Sequence, residues 1–364
     1  MKAAVLKQIG DAELDVRSDV ATTEVGPDDV RVRVKASGIC HTDLSAMNGG
    51  LPALAPGIMG HEGAGEVVAT GERVGHLQAG DRVVLSFVPP CSRCAACLGG
   101  QPYLCEVHVV DSFVSPRFAV ADEPAFGFAG CGTFAEEMVV PAEAAVKVDD
   151  DVPYEIAALI ACGVLTGVGS VLNTAKVEPG SSVAVIGCGG VGISVVQGAR
   201  IAGASQIVAV DPVVAKHDAA LRFGATRATT PDGLAEVSQE VTGGRGFDYA
   251  FEVVGRAATI RAAYDATRRG GTAVIVGAGS QEEKVEFSAQ ELFVNERNIV
   301  PSFYGSADPR RDTGRMVALW RAGLLDLEGM ISRRLPLADI NDGLAALRSG
   351  DNAVVRQIVT FDQE

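Results

Sequence analysis

The chain has 364 residues, of which 47% are hydrophobic, a formal net charge of −15 and a pI near 4.8. This length predicts roughly two domains, and the hydrophobic content is typical of a globular rather than a disordered chain. The acidic balance disfavours nucleic acids and anionic membrane surfaces as partners, because both attract basic faces.

The first part of the chain is predicted to be rich in β-strands. Residues 1–6 are short and strand-like, and residues 30–36 alternate apolar and charged side chains as a half-buried strand does. Similar runs follow at residues 63–69, 81–85 and 133–140. Glycine, proline and aspartate separate these runs, which together predict a compact β-barrel-like domain.

Four cysteines lie close together as Cys91-x-x-Cys94-x-x-Cys97-x7-Cys105. Four thiolates form a closed tetrahedral cage, which suits a structural zinc ion. An iron–sulfur cluster is a weaker alternative, since that pattern needs its fourth cysteine after three residues and a proline next. A third alternative is that the four cysteines are simply reduced or disulfide-bonded.

No export signal is visible at the start of the sequence, so we expect a reducing, cytoplasmic compartment. In such a compartment, spaced cysteines favour metal binding.

Three dispersed residues form a second candidate metal set, namely Cys40, His61 and Cys162. Taken singly, each is equally well explained as a buried core residue. Spacing alone does not show that the three meet in space. If they do, two cysteines and one histidine with one open coordination position make a catalytic zinc site. The apolar residues 156–172 around Cys162 are predicted to form a buried element rather than a membrane span.

A dinucleotide-binding fingerprint follows the strand at residues 182–186. Gly187-Cys188-Gly189-Gly190-Val191-Gly192 opens a helix, a second apolar run follows at 207–210, and Asp211 ends that run. Gly187 permits a tight turn, Gly189 lets the backbone approach a pyrophosphate, and Gly192 lets the helix pack on the strand. The alternative is an ordinary strand–helix–strand unit with a glycine turn. Asp211 can bind both ribose hydroxyls and would repel a 2′-phosphate, so it predicts NAD rather than NADP.

Strands and helices alternate through the middle of the chain. The predicted helices are 213–223 and 257–268, and the predicted strands are 247–254 and 272–276. Such alternation predicts a parallel, doubly wound sheet. The tail is predicted to contain helices 310–321 and 340–347 and a last strand, 354–361.

These motifs, in this order, resemble the zinc-containing medium-chain alcohol dehydrogenases over the whole chain. The resemblance implies an α/β protein with a GroES-like β-rich catalytic domain, residues 1–152 and 303–364, and a Rossmann NAD-binding domain, residues 153–302. It assigns residues 89–106 to a structural-zinc lobe. The expected cofactors are therefore NAD and two Zn²⁺ ions per chain, one catalytic and one structural.

The resemblance also implies site residues. Cys40, His61 and Cys162 would bind the catalytic zinc, Glu62 would be a neighbouring or transient ligand, and Asp43 would orient His61. Thr42 would accept the hydroxyl proton of the alcohol, with helix capping as the alternative. The implied cofactor contacts are His41, Thr166, Gly187, Gly189, Gly190, Val191, Gly192, Asp211, Lys216 for the adenosine ribose, Ala278, and Arg356 for the pyrophosphate. Phe87 and Phe134 match aromatic positions of the substrate cleft, although a place in the core explains either ring as well.

The chain departs from the family pattern at two positions. His41 stands where many members have an arginine that binds the pyrophosphate, a departure that bears on cofactor affinity. Ser45 stands where many have a histidine that transfers the proton to water, a departure that bears on the route by which the proton leaves.

The expected reaction is reversible hydride transfer from a primary alcohol to NAD, giving the aldehyde, with aromatic and terpenoid alcohols as the candidate substrates. Alternatives are glutathione-linked formaldehyde oxidation and a dismutase that never releases its nicotinamide. A zinc-free quinone or enoyl reductase and a non-enzymatic relative are disfavoured because all seven Cys/His ligand positions are occupied. We also expect a homodimer or homotetramer. The physiological alcohol, the preferred direction and the oligomer size are not encoded in these motifs.

Overall fold

The computed structural model describes residues 1–350 and 354–361. Its contacts divide the chain into two compact units: unit 1 is Met1–Gly163, Asp308–Trp320 and Leu327–Glu364, and unit 2 is Val164–Ala307 and Arg321–Asp326. The first predicted boundary, after residue 152, lies 11 residues before the contact boundary, because the helix that begins at Tyr154 packs on unit 1. The second, at residue 303, lies 5 residues early, and Arg321–Asp326 belongs to unit 2 rather than to the predicted catalytic domain. Residues 351–353 and 362–364 of the predicted catalytic domain lie outside the described residues.

The strands are β1 Ala3–Leu6, β2 Asp15–Arg17, β3 Val20–Thr22, β4 Asp29–Gly38, β5 Gly57–Ile58, β6 Glu62–Thr70, β7 Arg82–Leu85, β8 Phe118–Val120, β9 Glu123–Gly127, β10 Glu137–Pro141, β11 Ala145–Lys147, β12 Ser182–Ile186, β13 Gln206–Val210, β14 Arg227–Thr229, β15 Phe247–Glu252, β16 Thr267–Ile275, β17 Asn298–Pro301, β18 Ile331–Pro336 and β19 Arg356–Thr360. The α-helices are α1 His41–Met47, α2 Ala95–Leu98, α3 Glu106–Val114, α4 Tyr154–Leu159, α5 Leu165–Gly169, α6 Gly190–Ile201, α7 His217–Arg222, α8 Leu234–Thr242, α9 Ala257–Ala266, α10 Ala289–Asn295, α11 Pro309–Arg321 and α12 Ile340–Ser349. Two π-helical segments, Ile160–Val164 and Ser170–Ala175, adjoin α5.

Unit 1 contains two mainly antiparallel sheets, in the orders β2-β1-β5-β9-β8-β3 and β11-β7-β6-β4-β19-β18, with β10 also paired to β4. The alternation predicted for residues 30–36 is confirmed, because Val30, Val32 and Val34 are buried in the core while Arg33 is exposed. The predicted strand at 133–140 begins only at Glu137, in β10; before it, Ala135 makes just an isolated bridge with Ala3.

Unit 2 contains one sheet whose strands are all parallel, in the order β14-β13-β12-β15-β16-β17. The predicted doubly wound parallel sheet is therefore confirmed. The strand order reverses between β12 and β15, and ligands of such sheets bind in the crevice at the carboxyl ends of the strands at that point. The short elements β14, α10 and β17 were not predicted from the sequence, nor was α8, although Leu234, Val237 and Val241 recur there at helical spacing.

The helix predicted at 257–268 ends at Ala266, and β16 begins at the next residue. The hydroxyl of Thr267 donates to the carbonyl of Tyr264 at 2.7 Å and competes with helix continuation. Among the described residues, one helical run, Tyr154–Ala175, is long and apolar enough to cross a membrane, but 83% of its most apolar window is buried inside the protein. A core helix meets the same criteria, in keeping with the buried element predicted for 156–172.

Candidate metal centres and cofactor site

The first metal candidate begins where β4 ends and α1 starts. Cys40 is the N-cap of α1, and its backbone N–H donates to Asp43 Oδ2 at 3.0 Å. The N–H of Thr42 points to Cys40 Sγ at 3.5 Å, and Thr42 Oγ1 lies 3.4 Å from the same sulfur. The cap is thus made by Cys40 and Asp43, so the structure does not support the alternative that Thr42 caps the helix.

His61 is held in one orientation by its surroundings. Its Nδ1 lies 3.1 Å from Asp43 Oδ1, and both side chains are almost fully buried. Two rings, Phe87 and Phe128, pack edge-on against the imidazole with centroids 5.5 Å away. Nε2 is buried and has no hydrogen-bond partner among the described residues. With Nδ1 engaged by the carboxylate, Nε2 is the nitrogen left to bind a metal.

Cys162 completes the set from a π-helical turn. It lies in Ile160–Val164, where an extra residue per turn changes the direction of the side chains relative to an α-helix. The ligand atoms of Cys40, His61, Glu62 and Cys162 all lie within 4.8 Å of one another. The three residues that sequence spacing alone could not connect therefore meet. Two thiols and an orphaned imidazole nitrogen match the donors that zinc prefers.

The electrostatics of this cluster favour deprotonated sulfur. The hydrogen bond from Cys162, helped by His61, holds the pKa of the Cys40 thiol well below its ordinary value despite burial. Burial lowers the pKa of His61, but the charge and hydrogen bond of Asp43 outweigh it and raise that pKa to about 10. A thiolate at Cys40 is the form that binds a divalent cation.

Glu62 follows His61 directly and faces Arg356. The guanidinium of Arg356 pairs with Glu62 Oε2, whereas Oε1 is buried with no partner in the described part of the chain. Gly163 gives this pair room, because a Cβ there would lie 3.3 Å from Arg356 Cζ. The predicted contact of Arg356 with pyrophosphate stays a prediction; the contact that the structure contains is the one with Glu62.

The four-cysteine lobe forms a second cluster, in which all four sulfurs lie within 4.8 Å of one another. Backbone N–H groups point at three of them: Cys91 to Cys105 Sγ at 3.4 Å, Cys94 to Cys91 Sγ at 3.3 Å and Cys97 to Cys94 Sγ at 3.5 Å. N–H donors from Cys97 and Glu106 lower the pKa of Cys94 to about 6, while burial and Cys94 raise the pKa of Cys97 to about 12. Backbone donors to sulfur suit a set of thiolates around one cation.

The dinucleotide turn lies at the carboxyl end of β12, as its motif predicts. Gly187 has φ +103°, a region that favours glycine, and a Cβ on Gly192 would clash with the Gly187 carbonyl oxygen. A Cβ on Gly189 would meet nothing within 4 Å, so that glycine faces open space. Gly190 and Val191 are the first residues of α6, whose N-terminus attracts negative charge.

Asp211 lies beside this turn at the end of β13 and is 4% exposed. Its carboxylate accepts hydrogen bonds from the N–H groups of Cys188 and Val213, both at 2.9 Å. Lys216 Nζ is 3.6 Å from the same carboxylate. The predicted ribose contacts Asp211 and Lys216 are therefore neighbours at the glycine turn.

The remaining predicted contacts are dispersed. His41 is the exposed first residue of α1, Thr166 is half-buried in α5, and Ala278 is exposed after β16. Phe87 touches His61. Phe134 is 0% exposed within the core of unit 1, which fits the alternative of a core position, and its assignment to the substrate cleft stays a prediction. Phe128 takes the second place beside His61. It was missed because an aromatic residue in a short turn carries no motif.

Two protein-family models match the chain, the alcohol dehydrogenase GroES-like domain over residues 26–150 and the zinc-binding dehydrogenase over residues 190–320. The first confirms the predicted GroES-like fold of the β-rich part. Curated relatives include alcohol dehydrogenase B of Mycobacterium tuberculosis, 35% identical over 351 residues, with 93% of this chain and 92% of the relative covered. S-(hydroxymethyl)glutathione dehydrogenase of Paracoccus denitrificans is 36% identical over 350 residues, with 92% of each chain covered.

Solved structures are similar over almost the full length. Benzyl alcohol dehydrogenase of Acinetobacter calcoaceticus has a TM-score of 0.91 and 29% identity, with 99% of both chains covered. A zinc-binding dehydrogenase of Sinorhizobium meliloti 1021 bound to NADP has a TM-score of 0.80 and 29% identity, with 99% of this chain and 98% of that chain covered.

Proposed function

The chain belongs to the zinc-containing medium-chain alcohol dehydrogenases, and from this membership we propose that it oxidises a primary alcohol to the aldehyde, reversibly and with NAD. The observation that carries the proposal is the buried cluster of Cys40, His61 and Cys162 around an imidazole nitrogen with no described partner. Such a cluster is costly unless a cation occupies it, because a buried polar atom without a partner loses its hydration.

Each residue of the cluster has a separate task. Cys40, His61 and Cys162 would hold the zinc, and Asp43 fixes the ring of His61 so that Nε2 faces the two sulfurs. Zinc bound there would supply Lewis acidity, which lowers the pKa of a bound alcohol hydroxyl. The four-cysteine lobe would hold a second, structural zinc, because its closed set leaves no position for substrate.

Thr42 is the group that would accept the proton of the alcohol. Its hydroxyl lies 3.4 Å from Cys40 Sγ, so it is in the immediate surroundings of the cluster. A hydroxyl both accepts and donates, which lets Thr42 pass a proton on without becoming charged itself. Ser45, one turn later in α1, is a weak further relay since serine cannot act as a base near neutral pH.

Asp211 supports NAD as the cofactor. Its buried carboxylate would oppose a 2′-phosphate through like-charge repulsion. One similar structure contains NADP, so the preference needs a direct measurement with both cofactors.

The rings of Phe87 and Phe128 beside His61 favour an apolar alcohol, and a structurally similar protein is a benzyl alcohol dehydrogenase. A glutathione-linked activity is the second candidate, because one relative is an S-(hydroxymethyl)glutathione dehydrogenase.

The test of the proposed function is a panel of benzyl, terpenoid and short aliphatic alcohols and S-hydroxymethylglutathione, followed at the absorbance of NADH. Turnover of a primary alcohol that depends on added NAD supports the proposal. Activity with S-hydroxymethylglutathione alone would replace it with the second candidate, and turnover without added NAD would favour the dismutase.

We further propose that the chain forms a homo-oligomer through unit 2. Within the described residues β17 is an edge strand, paired only with β16, and Ile299 on it is 38% exposed. Phe293, at 86% exposure, and Val294 lie nearby in sequence on α10. Open strand edges with exposed apolar side chains invite pairing with a second copy. A monomer in light scattering at micromolar concentration would contradict this.

A further inference from the structure

Glu252 is a fully buried carboxylate at the carboxyl end of β15. In the parallel register it pairs with Ile186, the last residue of β12 before the dinucleotide turn. Glu252 therefore lies at the edge of the sheet where the strand order reverses. A buried acid at this place calls for an explanation, since acidic residues are almost never fully buried unless they are paired.

The contacts of Glu252 tie two loops together. Its Oε1 accepts three hydrogen bonds, from the N–H groups of Val254 at 2.8 Å and Gly255 at 2.7 Å and from Thr259 Oγ1 at 2.7 Å. Its Oε2 is buried and accepts none from the residues that the structure describes. Its backbone carbonyl accepts from Val276 at 2.8 Å and Gly277 at 3.0 Å, which belong to the loop after β16. One residue thus sets the path of both loops.

The turn at residues 253–255 presses against the dinucleotide turn. A Cβ on Gly187 would lie 2.8 Å from Val254 Cγ2 and 2.9 Å from Val253 Cγ2. On its other side, a Cβ on Gly255 would lie 2.7 Å from the carbonyl carbon of Ala278. The dinucleotide turn, the 253–255 turn and the loop at Ala278 are closely packed. A shift of the 253–255 turn would therefore displace residues on both sides of it.

We propose that Glu252 is a positioning residue for NAD, which holds the 253–255 turn so that the dinucleotide turn and the loop at Ala278 keep the shape that the cofactor needs. The inference rests on the proposed NAD-dependent function. Hydrogen bonds to a carboxylate are stronger than those to a neutral acceptor, which makes Glu252 a firmer anchor than an amide. A turn that is already fixed loses little conformational entropy when the cofactor binds. The free energy of binding is then more favourable, and the affinity for the cofactor is higher.

The test is calorimetric titration of the folded enzyme with NAD, together with steady-state kinetics. In Glu252→Gln we expect the Kd and KM for NAD to rise about five- to tenfold, the effect of weakening charge-assisted hydrogen bonds, while kcat at saturating NAD stays within about twofold. Thr259→Val removes one of the three donors and should raise the Kd less, in the same direction. If the rise in Kd for NAD increases with the number of hydrogen bonds that are weakened, the effect comes from the position of the turn and not from unfolding of the protein.

Asp248→Asn is the matched control. Asp248 lies on the same strand at its opposite end, where its carboxylate binds the backbone and hydroxyl of Ser182 and the guanidinium of Arg268. The Asp248→Asn variant should have a lower melting temperature but an unchanged Kd for NAD. A wild-type Kd in Glu252→Gln, or an equal rise in Asp248→Asn, would overturn the inference. If Glu252→Gln does not fold, an unchanged Kd in Thr259→Val overturns it. Failure of the parent enzyme to bind NAD would instead overturn the proposed function itself.

Discussion

Arg356 forms a buried ion pair with Glu62, the residue that follows the candidate metal ligand His61; their side chains are 6% and 0% exposed. The pair connects the last described strand, β19, to the start of β6 across β4, which lies between them in the sheet. Because both partners are buried, each charge depends on the other for its compensation.

Arg356→Leu should therefore destabilise the protein far more than loss of a surface pair does. We expect the free energy of unfolding to fall by about 3–5 kcal/mol, because the carboxylate of Glu62 is left buried without its counter-charge. The matched control is Arg334→Leu, which breaks an exposed pair with Glu155 and should cost at most about 1 kcal/mol. Urea denaturation measures both. Adding Glu62→Gln to Arg356→Leu should restore part of the loss, and equal effects of the two single variants would contradict the account.

Cys94→Ala should unfold the lobe. Three thiols cannot close a tetrahedral site, and a short segment with few buried side chains depends on its metal for stability. We expect the variant to lose about one zinc equivalent and to melt at lower temperature or aggregate. Ser92→Ala is the control, since it removes the hydrogen bond from Arg310 at 2.6 Å but leaves all four sulfurs. A Cys94→Ala protein that is as stable as the control would show that the lobe needs no metal.

Asp211→Gly should narrow the preference for NAD over NADP. The carboxylate repels a 2′-phosphate, and its removal leaves Lys216 free to attract one. The change also removes hydrogen bonds to Cys188 and Val213, so both cofactors should bind more weakly. The ratio of the two kcat/KM values cancels that common loss, and we expect it to fall by about tenfold or more. Asp218→Ala, on the following helix, should leave the ratio unchanged; a parent enzyme that uses NADP equally well would refute the role of Asp211.

Thr42→Val should lower kcat by about 10²- to 10⁴-fold, since it keeps the shape of the side chain and removes only the hydroxyl that we propose accepts the proton. Ser45→Ala is the control on the same helix and should change kcat by less than about tenfold, because water can replace the hydroxyl.

If His41 is the base at the end of the relay, His41→Gln should flatten the pH dependence of the rate between about pH 6 and 8. Rates across pH at saturating NAD compare the variants, and near-parent turnover of Thr42→Val would mean that the proton leaves by another route.

Local motifs were enough to predict part of this site. The glycine turn, Asp211 and the four-cysteine lobe are each contained in one short segment, so their spacing alone determines which groups meet. The meeting of Cys40 with Cys162 is different, because it depends on a π-helical turn more than a hundred residues away. Only the family resemblance suggested that contact.

Phe128 and Glu252 escaped prediction for a related reason. Phe128 owes its place to tertiary packing of its ring against His61. Glu252 binds amides of the turn that directly follows it, but its complete burial depends on the rest of the fold. For Phe134 the sequence left a cleft wall and a core position open, because an aromatic residue in a strand-like run fits both, and its burial favours the core.

The most direct test of the account is the zinc content of the purified protein and of Cys162→Ala, measured by mass spectrometry of the metal together with alcohol oxidation. Two ligand sets, one closed and one with an open position, predict about two zinc equivalents in the parent. Cys162→Ala should retain about one equivalent, in the lobe, and lose its activity while remaining folded. A variant that keeps both zinc ions and its turnover, or a parent protein that contains iron with the absorbance of a cluster, would contradict the assignment of Cys40, His61 and Cys162 as the catalytic zinc site.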